Sequence, residues 1–396
     1  MSTPYKKFLS STIFRIFILV ILGIFAVYSN DSHHAGAPKI LLRNFNSQAG
    51  FHYNIYCINH ALYACEQSKK ELVVLFDSGL YKEDRSHFTA DNPYYNQHDW
   101  LSYYFEPINQ TDKPLSYWKK WAARHPLTLP IASSELKKSV LDHTNSLIKK
   151  YAVRVFNSSS IDTSLEVKHR AQAFHRIWHK YFKLRPHIQK IVDDFKQKHD
   201  FANKYVITFH YRGTDKYDHK QGSEDGPEHP PYEFCSALVK NIIKKSGRPL
   251  SDIVTFIATD EQPFADHMEA AKVNAVFIDA IRSNTSTSNL SIDFSKCEQG
   301  VIDDTPESKL YNELITQSVH RGMPDKSNYI KGRDVLVDAI LLGSGNVFIK
   351  SRGNVSNQAS WIGGPTMESI DLVNAFKAYK NKSGSGNDWG TIYDDL

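Results

Sequence analysis

The sequence predicts an α/β protein with two doubly wound layers of parallel strands, and three observations carry that expectation. Short apolar runs of strand character, such as Tyr205-Val-Ile-Thr-Phe209 and Ile253-Val-Thr-Phe-Ile257, alternate with stretches of helical spacing. The alternation begins twice, once after residue 39 and again near residue 199. The chain has 396 residues, which accommodates two cores at roughly 100 to 200 residues per domain.

Composition narrows the class. Hydrophobic residues at 41% and charged residues at 23% support packed cores and exclude wholesale disorder or a multispan membrane protein. A net charge of +5, from 48 basic and 43 acidic residues, is too small an excess for the dense basic face that nucleic acid requires, so no nucleic-acid partner is expected. The four cysteines, Cys57, Cys65, Cys235 and Cys297, form no C-x-x-C pair, and each reads as a buried small apolar residue or half of a single bridge. The 18 histidines include no H-E-x-x-H pair, and no metal ligands are assigned.

Taking the elements in order, Ile16 to Tyr28 is an uninterrupted apolar run of about 13 residues, preceded by Lys6, Lys7 and Arg15. Counted from Phe8, with Arg15 snorkelling, it reaches about 21 residues or roughly 31 Å of helix, enough to span a bilayer. Residues 1–30 are therefore read as a cytosolic tail and uncleaved signal-anchor helix, and 31–38 as a short stem. The basic flank sends the remainder across the membrane. Sequons at Asn109, Asn157, Asn284, Asn289, Asn354 and Asn381 fit a secretory lumen, as expected of a single-pass type II membrane protein.

Residues 39–198 are expected to form the first layer. Ile40-Leu41-Leu42 is a strand, Gly50-Phe51 opens a helix to about Ser68, and Glu71 to Phe76 is a second strand. The aromatic stretch 92–108 has no clean period and is read as a loop region, bordering a cleft or covering the core edge. Helical patterns follow at 116–124, 134–151 and 166–181. The next, with Pro186 in its first turn and Leu184, Ile188, Ile191, Val192 and Phe195 on one face, ends near His199.

Residues 199–366 are expected to form the second layer: strands at 205–209, 253–257, 276–278 and 346–349, with helices at 232–245, 262–272 and 334–342. A polar turn is expected at 351–356, a short helix from 358 to 362, and a closing helix within 367–382. The Gly- and Ser-rich end, 383–396, is read as a tail.

The chemistry concentrates in three loops that follow strands of the second layer, where open α/β sheets present ligands. Phe209-His-Tyr-Arg-Gly-Thr-Asp-Lys216 follows the first; its Arg212 offers the planar fork that suits a diphosphate, and Gly213 permits close backbone approach. Ala258-Thr259-Asp260-Glu261 follows the next, with Asp260 as ligand contact or helix N-cap. Ser351-Arg-Gly-Asn-Val-Ser356 follows the last. Asp338, inside an otherwise apolar helix, needs an arginine or backbone amides as partner.

The runs from His210 to Lys216, from Ala258 to Asp260, and the Gly332 to Ser356 pattern G-x-D-x-L-x-D, strand and Ser-rich turn resemble the α-1,6-fucosyltransferases and rhizobial nodulation fucosyltransferases. The protein O-fucosyltransferases are similar more loosely. The resemblance covers about residues 204 to 362; before that, Gly50-Phe51 stands by analogy where such enzymes have a glycine-rich loop. It implies a GT-B architecture of two Rossmann-like domains, the first on the acceptor side and the second binding the nucleotide sugar. It further implies metal-independent inversion, no cofactor, GDP-fucose as donor and a glycan or glycoprotein hydroxyl as acceptor. Golgi localisation follows, because a luminal domain needs luminal nucleotide sugar. Residue by residue, Arg212 holds the β-phosphate, His210 and Asp215 shape its loop, and Asp260 and Asp338 position Arg212 or the nucleotide. Ser351 and Ser356, in the turn with Asn354, donate to phosphate. The chain departs from the pattern at Gly213, where family members carry a second basic residue, and at Lys220, in place of the glutamate near the Asp-Lys pair. Glu224, among Asp218, Asp225 and Glu228, is taken as the base. The alternatives are a transferase using another nucleotide sugar and a non-catalytic glycan-binding protein of the same fold. A sulfotransferase is a further rival, but Gly50-Phe51-His52 lacks the basic residue of its phosphate loop.

Overall fold

The computed structural model describes residues 39–43, 50–68, 71–75, 100–108, 167–213, 230–280, 282–284, 327–351 and 353–383. The expected signal-anchor, stem, tail, helices at 116–124 and 134–151, Asp215 and Glu224 lie outside the described residues. Among the described residues no helix is long and apolar enough to cross a membrane.

The first layer opens as a β-α-β unit: β1 (Lys39–Arg43), α1 (Phe51–Ser68) and β2 (Glu71–Leu75), with β1 and β2 paired in parallel from Lys39↔Glu71 to Arg43↔Leu75. A 3-10 turn at Trp100–Tyr103 follows, then α2 (Val167–Tyr181) and α3 (Pro186–Lys198). Pro186 starts α3 because its fixed φ suits a first turn and its missing N–H is not needed there. The aromatic stretch expected to be cleft or core edge is core: Trp100, Tyr103, Tyr104 and Phe105 are all buried.

The second layer is a five-stranded, all-parallel sheet of order β5-β4-β3-β6-β7. Its strands are β3 (Tyr205–Tyr211), β4 (Ile253–Thr259), β5 (Ala275–Val276), β6 (Val347–Lys350) and β7 (Glu368–Asp371). The helices between them are α4 (Tyr232–Ser246), α5 (Gln262–Ala270), α6 (Asn328–Leu342) and α7 (Asn354–Gly363), and α8 (Leu372–Ser383) closes the described chain. Gly247 ends α4 in the left-handed conformation, and Ser327 caps α6 by accepting from Ile330 N.

Two expectations need correction. The helix expected from 358 begins at Asn354, so the polar turn shrinks and its last residues become helical. The closing helix expected within 367–382 starts at Leu372, after β7, a half-exposed edge strand whose pairing with β6 overrides its weak apolar pattern.

Period-2 alternation assigns the faces of the sheet. Ile207, Phe209, Tyr211, Ile253, Ile257 and Ile349 face the core shared with α4, α5 and α8. Phe256, Ala258 and Phe348 face the other core, which runs continuously through α6 and α7 into α1, α2 and α3. On this second side Thr208 Oγ donates to Leu342 O at 2.8 Å, so its buried hydroxyl is satisfied. The two layers meet there: Tyr56 stacks on Trp361 at 5.6 Å, and Asn59 Nδ2 donates to Gln358 Oε1 at 3.1 Å. Cys65 and Cys235 are both buried in the apolar cores.

Candidate active site

The strand order reverses at β3: chain progression moves outward to β4 and β5 on one side, then returns to β6 and β7 on the other. Such a reversal leaves a crevice at the carboxyl ends of the strands, because successive connections cover opposite faces. Arg212 and Gly213 follow β3 at that point, Thr259 and Asp260 end and follow β4, and Ser351 follows β6. A cavity there is lined by His210, Arg212, Asp260, Asp334, Asp338 and Val355, among others.

Arg212 is held before any ligand arrives. Its Nη1 lies 3.1 Å from Asp260 Oδ2, and the two side chains are only 10% and 8% exposed. The other oxygen of Asp260 accepts from Gly213 N at 2.9 Å. Asp260 is thus the positioning carboxylate; the N-cap of α5 is Glu261, with no side-chain cap bond. Gly213 turns its amide to Asp260, and the space beside its Cα is filled by Glu261.

His210 projects from β3 toward α7, on the face Thr208 shares. Ser356 Oγ lies 2.7 Å and Ser351 Oγ 3.0 Å from its Nδ1. The two serines expected to donate to phosphate thus both lie against the imidazole. Burial, reinforced by Arg212 and opposed by Asp260, brings the pKa of His210 down to about 3. The ring is neutral at physiological pH and the serines fix its orientation.

The N-terminus of α7 is the second electropositive element. Gly353 precedes it at φ 145°, a left-handed region open to glycine, and no side chain caps the helix. Asn354 is its first residue, and Val355 lines the cavity. Unpaired amides and the helix dipole favour an anion at such an end. The Asn354 sequon is folded into this helix, with Ser356 only 1% exposed.

Asp338 and Asp334 face the cavity from α6, one turn apart, with Lys331 a further turn back. Asp338 Oδ1 is buried with no hydrogen bond. Burial pushes its pKa up to about 8, with Arg282 pulling down and Asp334 pushing up. Arg282 donates to Ile278 O at 2.8 Å, while its buried Nε has no partner. The unsatisfied carboxylate oxygen of Asp338 on the wall of this cavity offers an acceptor to a polar ligand.

The α1 end behaves differently from expectation. Phe51 is 1% exposed, packed edge-on against Tyr104, and is a core residue, not a ligand contact. Gly50 O accepts from Tyr53 N, Asn54 N and Asn54 Nδ2, which starts the helix. The neighbouring His52, given no site role from the sequence, bonds Val335 O through Nε2 at 3.0 Å and leaves a buried Nδ1 without a partner. Burial lowers its pKa to about 4. Lys331, Asp334 and Asp338 had a legible signal, a polar stripe at i, i+3 and i+7 on an apolar helix. Arg282, in a loop after a two-residue strand, had none. Among the described residues, no group of three or more His, Cys, Asp or Glu side chains is placed to hold a metal ion.

No protein-family model matches the chain, and no curated protein matches its sequence. It aligns with several solved fucosyltransferase structures. Fucosyltransferase NodZ from Bradyrhizobium is 13% identical, with 82% of this chain and 92% of that chain covered and a TM-score of 0.41. Arabidopsis thaliana FUT1, a mutant in complex with GDP, is 9% identical, with 83% and 69% covered and a TM-score of 0.43. POFUT1 in complex with GDP is 11% identical, with 84% and 98% covered and a TM-score of 0.36. The chemistry of the site rests on its own residues.

Proposed function

We propose that the protein is an inverting glycosyltransferase that moves fucose from GDP-fucose to a hydroxyl of a glycan or glycoprotein, in a GT-B arrangement of two Rossmann-like domains. The observation that carries this reading is a nearly buried arginine, fixed by Asp260 at the switch point of a parallel sheet, across a cavity from the uncapped start of α7. Together they offer a guanidinium fork and a row of amides to a diphosphate. The motif resemblance of residues 204 to 362 selects GDP and fucose from the nucleotide sugars.

In the proposed reaction the acceptor oxygen attacks the anomeric carbon as the bond from that carbon to the β-phosphate oxygen breaks. The departing GDP gains negative charge, which Arg212 and the α7 amides offset; one preorganised donor of this kind is worth about 3 to 4 kcal/mol. The acceptor proton passes to a carboxylate, for which Glu224 is the proposed base. Asp338 and Asp334, which line the cavity from α6, suit the donor groups of the nucleoside. Metal independence belongs to the proposal, as does anchoring by the apolar run before residue 30 in a Golgi membrane with the catalytic part luminal.

A thermal-shift panel on the chain from residue 38, with GDP, UDP, CMP and adenosine 3',5'-bisphosphate, tests the reading. GDP should raise the melting temperature most. A larger shift with UDP or CMP points to another nucleotide sugar, one with the bisphosphate to sulfuryl transfer, and none at all to a non-catalytic glycan-binding protein.

A further inference from the structure

Behind Arg212 lies a buried carboxylate that the proposed reaction does not use. Glu261 is 0% exposed. Its Oε2 accepts from Tyr232 OH at 2.5 Å, and its backbone N–H donates to Thr259 Oγ at 3.1 Å. Tyr232 is itself fixed, edge-on to both Tyr211 and Phe264, which stack on each other at 4.0 Å. On its other side the carboxylate meets Gly213. A Cβ at that position would overlap Oε1 and Cδ of Glu261 and lie 2.7 Å from Cγ. Gly213 is not among the glycines of positive φ, so space and not backbone conformation demands it.

Two consecutive residues after β4 therefore grip two consecutive residues after β3. Asp260 bonds Arg212 and the Gly213 amide; Glu261 fills the volume that a side chain at 213 would occupy. We propose that Glu261 is a positioning residue, a wedge braced by Tyr232 that seats the Arg212 loop for the diphosphate. The proposal rests on the nucleotide-sugar reading of the site. It accounts for the glycine where the resembling enzymes carry a basic side chain: here a carboxylate from the neighbouring loop takes the room. Because Glu261 acts through the seat of Arg212, displacing it should weaken donor binding and turnover together.

The test compares Gly213→Ala, Glu261→Ala, the double variant and Tyr232→Phe, reading GDP affinity, donor KM and kcat, with circular dichroism as the check on folding. Gly213→Ala should lose about a hundredfold in kcat/KM, the cost of a misplacement near 1 Å. Adding Glu261→Ala vacates the overlapped volume and should recover about tenfold or more, a coupling of the size contacting residues show. Tyr232→Phe keeps the ring and removes the brace, and should raise donor KM about three- to tenfold, the scale of one hydrogen bond. A double variant no better than folded Gly213→Ala overturns the wedge. Should Gly213→Ala not fold, an unchanged donor KM in Tyr232→Phe overturns it equally. If GDP fails to bind the unsubstituted protein, the nucleotide reading falls first and takes the wedge with it, an outcome separable from the others.

Discussion

At the scale of single residues, the site works by holding charge in place before it is needed. Arg212 and Asp260 form a nearly buried pair, so Arg212→Ala would strand a carboxylate at a cost of about 3 to 5 kcal/mol and confuse stability with function. Arg212→Lys is the cleaner probe. It leaves a cation facing Asp260 but removes the planar fork, and transfer should fall about a hundredfold with the melting temperature nearly unchanged. Asp338 allows a second measurement. Its folded pKa of about 8 exceeds the ordinary 3.8, so between those values the folded chain binds the extra proton and stability falls as pH rises. Asp338→Asn removes that dependence: its melting temperature relative to the unsubstituted chain should climb from pH 5 to pH 8, and parallel curves would contradict the assignment. Arg212, Asp260 and His210 were legible because motif and strand end coincide. The contact of the serines with His210 was not legible, because a hydroxyl in such a loop looks the same in sequence whether or not a histidine lies behind it.

At the scale of elements, the start of α7 is the least legible and most consequential feature. Its sequence, Arg-Gly-Asn-Val-Ser, reads as a turn, and only the packing of Trp361 and Ile362 into the shared core extends the helix back to Asn354. Gly353 carries the φ of 145° immediately before the first helical residue. Gly353→Ala should cost about 1 to 3 kcal/mol of stability through backbone strain, and should weaken GDP binding further than that loss explains; calorimetric titration beside thermal melting separates the two effects. The strands β3 and β4 were legible as apolar runs buried on both faces, whereas β7 was not. An edge strand of Glu-Ser-Ile-Asp owes its form to its neighbour, which local periodicity does not report.

For the whole molecule, the two layers are joined through the core on one face of the five-stranded sheet. One face of the five-stranded sheet packs on α6 and α7, and those helices pack in turn on α1, α2 and α3. The pairs Tyr56–Trp361 and Asn59–Gln358, which tie α1 to α7, join residues far apart in sequence, so no local pattern announced them. Trp361→Ala should lower stability by about 3 to 5 kcal/mol, and the chain should still unfold in one transition, observed by tryptophan fluorescence and circular dichroism together. Two resolved transitions would mean that the layers are energetically independent. The central claim is that a nucleoside diphosphate sits between Arg212 and the first turn of α7. Its most direct test is a crystal structure of the protein with GDP: the account requires the β-phosphate within hydrogen-bonding distance of the Arg212 guanidinium and of the amides at 354 to 356. GDP bound elsewhere, with Arg212 still closed on Asp260 and no phosphate beside it, would contradict it.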